Sequence, residues 1–185
     1  MITLTDTTGR ARDTPKHRKD PVDLAQTAIE AIQAKFPDVM LGTGEHVGQK
    51  WVFVQDNSII PVLTLLRDEL NFEFLMDLTA VDYLNQGTPE RFNLVYVLYS
   101  LTHNDYFRVK TWISEVSPEA DSATSVYKSA GWAEREVWDM YGITFRNHPD
   151  LRRILMPMDY QGHPLRKDYP LTGNGERQNF PRYVK

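Results

Sequence analysis

Apolar residues recur at helical spacing from Val22 through Ala25, Ile29 and Ile32 to Phe36, with polar side chains between them, and the run stops at Pro37. Asp20 stands where an N-cap belongs, with Pro21 at the first helical position and Asp23 three residues on, so an amphipathic helix is expected to start there. The period then changes. "LGTGEHVG" (41–48) reads as a turn and "KWVFVQ" (50–55) as a strand, after which "IIPVLTLLRDEL" (59–70) returns to helical spacing. In that second helix Val62, Leu65, Leu66 and Leu70 share a face, and Pro61 is tolerated in the first turn. A short strand is expected near "FEFLMDL" (72–78). "RFNLVYVLYSL" (91–101) and "YFRVKTWI" (106–113) are rich in β-branched and aromatic residues, and "THND" joins them into a β-hairpin. A helical segment near 122–128 and a firmer helix at about 132–141 follow, with Gly142 placed to close the last one.

The order helix, strand, helix and three strands predicts an α+β fold, a two-layer sandwich of helices on a mostly antiparallel sheet. It occupies residues 20–141 as one compact domain. Residues 1–19 are polar and read as a disordered arm. From Gly142 onward the periodicity lapses: five of the eleven prolines and four of the ten glycines fall in 142–185. That stretch is too long to be an ordinary connection. It also carries Phe145, Leu151, Ile154, Leu155, Tyr160, Leu165, Tyr169 and Leu171, too many apolar anchors for simple disorder. A long irregular C-terminal extension of this kind needs a surface to bury them, in part its own sheet and in part another protein.

Charge sharpens this division. Residues 142–185 hold eight Lys and Arg against four acids, whereas residues 21–141 hold eight against eighteen. A basic tail on an acidic body points to a polar or acidic partner surface. Interleaved acids and a pI near 5.7 make nucleic acid a poor partner. The chain has no cysteine, which excludes disulfides, thiolate nucleophiles and all-Cys iron–sulfur sites within it. The first twenty residues lack the apolar core of a signal peptide, and no run is long and apolar enough to span a bilayer. The protein is therefore expected to be soluble or peripheral, on the side where it is made.

Candidate chemistry concentrates in "EREVWDMYGITFRNHPDLRRILMPMDYQGHPLRKDYP" (134–170). His148 and His163 offer themselves to a metal with Asp150, Asp159 or Asp168, but no pair has a metal-ligand spacing. Both precede proline, which favours shaped turns. Glu134 and Glu136 are two apart and point in different directions, so they form no dyad, whereas Arg135 and Asp139 are four apart and can pair on one helix face. Arg152, Arg153, Arg166 and Lys167 are candidate phosphate ligands, yet no phosphate-binding glycine loop accompanies them, and no nucleophile elbow is present. No catalytic, cofactor-binding or metal-binding residue is assigned. The competing reading is a stand-alone metal- or phosphate-dependent enzyme that uses His148, His163 and the arginine cluster.

"EREVWDMYGITFRNHPDLRRIL" (134–155) followed by "GHPLRKDYPL" (162–171) closely resembles the 30 kDa subunit family of respiratory complex I, which in bacteria is the C-type subunit of NADH-quinone oxidoreductase. The likeness runs through Glu134, Arg135, Glu136, Asp139, Gly142, His148, Arg152, Arg153, His163, Arg166, Lys167, Asp168 and Tyr169. "LTAVDY" (78–83) and the predicted hairpin also look like the family. The resemblance implies a structural subunit of the peripheral arm of a proton-translocating complex that passes electrons from NADH through FMN and Fe-S clusters to quinone. It implies no redox cofactor in this chain, since FMN and the clusters belong to partner subunits. The implied partners are the large, 49 kDa-type quinone-site subunit and its Fe-S partner, with other peripheral-arm subunits, on the cytoplasmic face of the inner membrane and without nucleic acid. Glu134, Arg135, Glu136 and Asp139 are expected to fix the last helix and the tail through ion pairs, joined by His148, His163, Asp168 and Tyr169. Arg152, Arg153, Arg166 and Lys167 are expected to hold the tail on the large subunit.

Overall fold

The computed structural model of the chain describes residues 23–175. Helix α1 spans Leu24–Lys35 and buries Leu24, Ala25, Ala28 and Ile32. Its cap is Asp23, three residues later than the expected Asp20, because the Asp23 Oδ1 accepts the Gln26 N–H at 2.9 Å. Asp20, Pro21 and Val22, like the expected arm at 1–19, lie outside the described residues.

The segment read as a turn at 41–48 is instead a strand and the first half of a hairpin. β1 (Met40–His46) pairs antiparallel with β2 (Gln49–Val54), and His46 faces Gln49. Val47 and Gly48 make the connection with φ of 51° and 73°, the two positive values a type I′ turn requires. Gly44, which argued for a turn, has a different reason to be there. A Cβ at that position would lie 2.1 Å from Cζ2 of Trp51, whose ring lies over the strand. Close approach is the usual reason for a glycine inside a strand.

Helix α2 (Ile59–Leu70) has the expected bounds and buries Ile59, Val62, Leu63, Leu65 and Leu66. Asn71 ends it in the left-handed conformation, at φ 55°. β3 (Phe74–Asp82) runs further than expected, and β4 (Phe92–Ser100) and β5 (Asp105–Ile113) form the expected hairpin. The sheet order is β1-β2-β5-β4-β3, antiparallel except between β2 and β5. Inward residues alternate along each strand, among them Val52, Val54, Leu94, Tyr96, Leu98, Phe107 and Val109, and they join α1 and α2 in one buried core. The fold is α+β with a mostly antiparallel sheet, as the element order predicted.

The expected helical segment at 122–128 reduces to a single 3₁₀ turn at residues 123–125. Before it lies β6 (Glu119–Asp121), which pairs parallel with β7 (Thr144–Arg146). Helix α3 (Ala130–Tyr141) connects these two short strands and packs on β3. Gly142, at φ 75°, closes α3 and donates its N–H to the Trp138 carbonyl at 2.8 Å. Beyond Arg146 the described residues form neither helix nor strand.

Candidate functional site

The irregular segment after β7 lies against the end of α3 and the end of the sheet, and polar side chains fasten it at two places. At the first, Asp139 is fully buried on α3. Its Oδ2 accepts the N–H groups of Ile154, Leu155 and Met156 at 3.0, 2.8 and 2.9 Å, and its Oδ1 accepts from Arg153. Burial pushes this carboxyl up, but the three N–H groups and the Arg153 guanidinium outweigh it and hold the group below the usual carboxylate range. One turn earlier, Arg135 donates to the carbonyls of Arg152 and Arg153 at 3.0 and 2.9 Å. Arg135 and Asp139 thus share a helix face, as their spacing requires, but they do not pair with each other. Each satisfies the main chain of residues 152–156, the arginine from the carbonyl side and the acid from the amide side. The N–H groups of an unfolded turn need acceptors once they leave water, and a local i, i+4 pairing rule does not register that demand.

At the second place, Arg91 enters β4 with its side chain only 4% exposed, beside Asp82 at 1%. Its Nε and Nη2 contact Asp82 Oδ1 and Oδ2 at 3.0 and 2.8 Å. Its Nη1 reaches Glu115 at 2.6 Å and Asp168 of the tail at 3.0 Å. Asp82 also accepts the Lys167 N–H at 2.9 Å. Burial works against the Asp82 carboxylate, yet hydrogen bonds from Arg91, Lys167 and Leu84 keep its pKa below the ordinary value, and Asp82 and Asp168 raise that of Arg91. Between the two places, His163 Nδ1 lies 3.0 Å from the Asp139 carbonyl, and Arg166 donates to the Tyr141 carbonyl. Gly142 makes this crossing possible. A Cβ there would meet the His163 ring at 2.6 Å and Arg166 Nη2 at 2.8 Å.

Glu134, also fully buried on α3, is held by groups of the 122–123 segment rather than by Lys or Arg. Its Oε1 accepts the Ala123 N–H and its Oε2 the Ser122 hydroxyl, both at 2.6 Å. His148 accepts the Asp150 N–H at Nδ1, so its proton sits on Nε2, which donates to the Gly131 carbonyl at 3.0 Å and lies 3.8 Å from Glu134. Burial pushes the Glu134 carboxyl up to about 7 from 4.5, against the Ser122 and Ala123 hydrogen bonds. The unfolded chain therefore releases this proton near pH 4.5 while the folded chain keeps it to about 7. Stability falls as pH rises through that window, by about 3 kcal/mol from this group. Glu134→Gln removes the effect: its urea midpoint is expected to match the wild type below pH 4.5 and to exceed it by a growing margin up to pH 7. A constant difference across that range would refute the account.

The remaining expected site residues are dispersed. Glu136 is exposed, Arg152 pairs with Asp150 on the surface, and Tyr169 and Tyr160 contact through their hydroxyls. Lys167 is exposed, and its main chain rather than its side chain joins the Asp82 cluster. His148 and His163 have separate partners, and among the described residues no three His, Asp or Glu side chains converge as a metal site. The fastening of the tail also depends on Asp82, Arg91 and Glu115, and that of Glu134 on Ser122, none of which the chemistry-dense stretch contains. The arrangement gives the irregular segment a set course over α3 and the end of the sheet, and it is called the strap below.

Residues 52–175 match the family model for the 30 kDa subunit of respiratory-chain NADH dehydrogenase. The C-type subunit of the NADH-quinone oxidoreductase of Citrifermentans bemidjiense is 48% identical over 146 residues, covering 79% of this chain and 89% of that protein. Its counterpart from Roseiflexus sp. is 45% identical over 147 residues, covering 78% and 83%. Among solved structures, a trypsin-resistant fragment of Nqo5 aligns with a TM-score of 0.62 at 30% identity, over 69% of this chain and 99% of the fragment. A chain of an archaeal respiratory membrane complex, the membrane-bound sulfane sulfur reductase, shares the fold at 20% identity and a TM-score of 0.65, over 86% and 94%.

Proposed function

Because the chain belongs to the 30 kDa subunit family of respiratory-chain NADH dehydrogenase, we propose that it is a structural subunit of the peripheral arm of a proton-translocating NADH-quinone oxidoreductase. In that assembly electrons pass from NADH through FMN and Fe-S clusters to quinone. This chain carries none of those groups and contributes no catalytic residue. Its part is to pack against the large, 49 kDa-type quinone-site subunit and its Fe-S partner. It meets the membrane only through the complex, on the cytoplasmic face; among the described residues no helix is long and apolar enough to cross a bilayer.

The observation that carries this reading is the docked strap. Asp139 and Arg91 hold residues 150–170 in an ordered, non-periodic course, which serves no visible chemistry within the chain but presents a fixed surface. The lack of cysteine fits a subunit that leaves thiolate-held clusters to others. A tag on this chain, followed by solubilisation of membranes, affinity purification and mass spectrometry, is expected to recover the quinone-site and Fe-S subunits in proportion to it. Purification of the chain with no redox subunit would refute the proposal.

A further inference from the structure

The five-stranded sheet has one face without a covering layer. α1, α2 and α3 all bury their apolar residues with the inward side chains of the strands, in one core. On its other face an antiparallel sheet ordinarily meets water through polar side chains. Here the outward positions of β2 to β5 are largely aromatic and β-branched. Trp51, Phe53, Trp112 and Tyr83 form a continuous cluster of rings, with successive centroids 5.1, 5.0 and 5.5 Å apart. At the other end of the strands Phe74, Tyr99 and Tyr106 lie in register across β3, β4 and β5, and Phe74 and Tyr106 are 49 and 41% exposed. Val95 and Val97 lie between the two groups. A contiguous apolar face of this kind, unlike scattered exposed side chains, marks an interaction surface.

The cations on this face have no acid. Arg108 and Lys110 are two apart on β5 and so point the same way, between Trp51 and Phe53 of β2 and Val97 and Val95 of β4. The Lys110 Nζ lies 4.4 Å from the Trp51 ring centroid and 5.6 Å from that of Phe53. Both cations are partly buried, and neither has an ion pair or a hydrogen bond among the described residues. Burial and the neighbouring Arg108 push the Lys110 amine below its ordinary range. Asp77 shares the face but stands opposite Val97, two strand spacings from Arg108, roughly 10 Å. Arg91 and Arg153, also shielded from water, each have a carboxylate partner.

Those two cations decide between the possible occupants. A second copy would bring its own Arg108 and Lys110 to the face with one more Asp77, an excess of like charge. The ends of the chain fit no better: residues 1–22 hold five Lys and Arg against three acids, and 176–185 hold three against one. A different protein that brings both apolar side chains and carboxylates satisfies the rings and the cations together. A helix supplies them at a matching interval. Neighbours on one side of a strand are roughly 7 Å apart, and residues at i and i+4 of a helix are separated by about 6 Å along its axis.

We infer that the outer face of the sheet docks an amphipathic helix of another protein, whose apolar side covers Phe53, Val95 and Trp112 and whose two acids, one turn apart, meet Arg108 and Lys110. The contact uses no residue of the strap, so it stands apart from the observation that carries the subunit role.

The photo-reactive residue p-benzoylphenylalanine in place of Tyr106 puts a cross-linker at the rim of this face in the full chain, inside the cells that make it. Irradiation and mass spectrometry are expected to join it to a peptide of another protein that has apolar residues at helical spacing and Asp or Glu at i and i+4. Arg108→Glu with Lys110→Glu is expected to lower the yield of that product roughly tenfold, because carboxylates then face carboxylates. Arg108→Lys with Lys110→Arg keeps the charges and should keep the yield. Changing the two partner acids to Lys should restore the product with the charge-reversed chain, which a misfolded chain would not permit. Cross-links confined to residues 1–22 or 176–185, to a second copy of this chain, or to nothing would overturn the docking face. So would a yield that the charge reversal leaves unchanged. The affinity purification described above reads the subunit role separately.

Discussion

Asp139→Asn is expected to loosen the strap from α3 at a cost of about 3–5 kcal/mol, the usual penalty when a buried, hydrogen-bonded charge loses its partner. An asparagine is isosteric, but it can offer only one acceptor oxygen where two now serve three N–H groups and a guanidinium. Its amide N–H₂ would face other donors. Arg153, whose side chain is 10% exposed, would then have no carboxylate within reach. Urea unfolding reads the size of the effect, and limited trypsin digestion reads its location. Cleavage after Arg152 and Arg153 should become fast in the variant while the compact domain persists. An unchanged midpoint and digestion pattern would show that the N–H cluster does not hold the strap.

Arg91→Met is expected to be of similar size, about 3–5 kcal/mol, for a different reason. The methionine retains much of the stem that packs beside Phe92, so the loss is electrostatic rather than a cavity. It leaves Asp82 sealed from water with only main-chain N–H partners, and it releases Asp168. The effect is separable because Asp82→Asn removes the stranded charge. The double variant should regain a substantial part of the stability lost in Arg91→Met, giving a coupling well outside the additivity of distant sites. Strict additivity in the urea midpoints would mean that the pair is a surface contact rather than a buried one.

How much of this was legible in the sequence depended on range. Helix α2 and the β4–β5 hairpin rest on local periodicity and turn chemistry, so 59–70 and the "THND" connection were readable without tertiary knowledge. β1 was not, because Gly42, Gly44 and Gly48 imitate a loop; only the Trp51 ring above Gly44 explains a glycine within a strand. The charge-dense stretch 134–170 contains Arg135, Asp139, Arg153 and Asp168, which fasten the tail, but their partners are not the ones that local spacing offers. Arg135 and Asp139 invited a local ion pair, and Glu134, expected to take part in ion pairs, is fully buried against Ser122 and Ala123. The Arg91 cluster was hidden by separation: Asp82, Arg91, Glu115 and Asp168 meet only once β3, β4 and the strap are assembled. One signal was present, an aspartate closing the apolar run "LTAVD". An acid so placed either faces water or has a counter-ion, and pattern alone does not say which.

The hold of α3 on residues 152–156 has a consequence for how this segment can change. Apart from the Arg153 guanidinium on Asp139, Arg135 and Asp139 grip main-chain atoms, which every residue type presents alike, so at 152 and 154–156 the grip is indifferent to which side chains pass through it. Only proline is forbidden at 154, 155 and 156, since each of those positions must donate. Pro157 stands at the first position where that demand ends. Positions 154–156 are therefore free to drift in step with whatever surface lies opposite them, while the course of the strap stays the same.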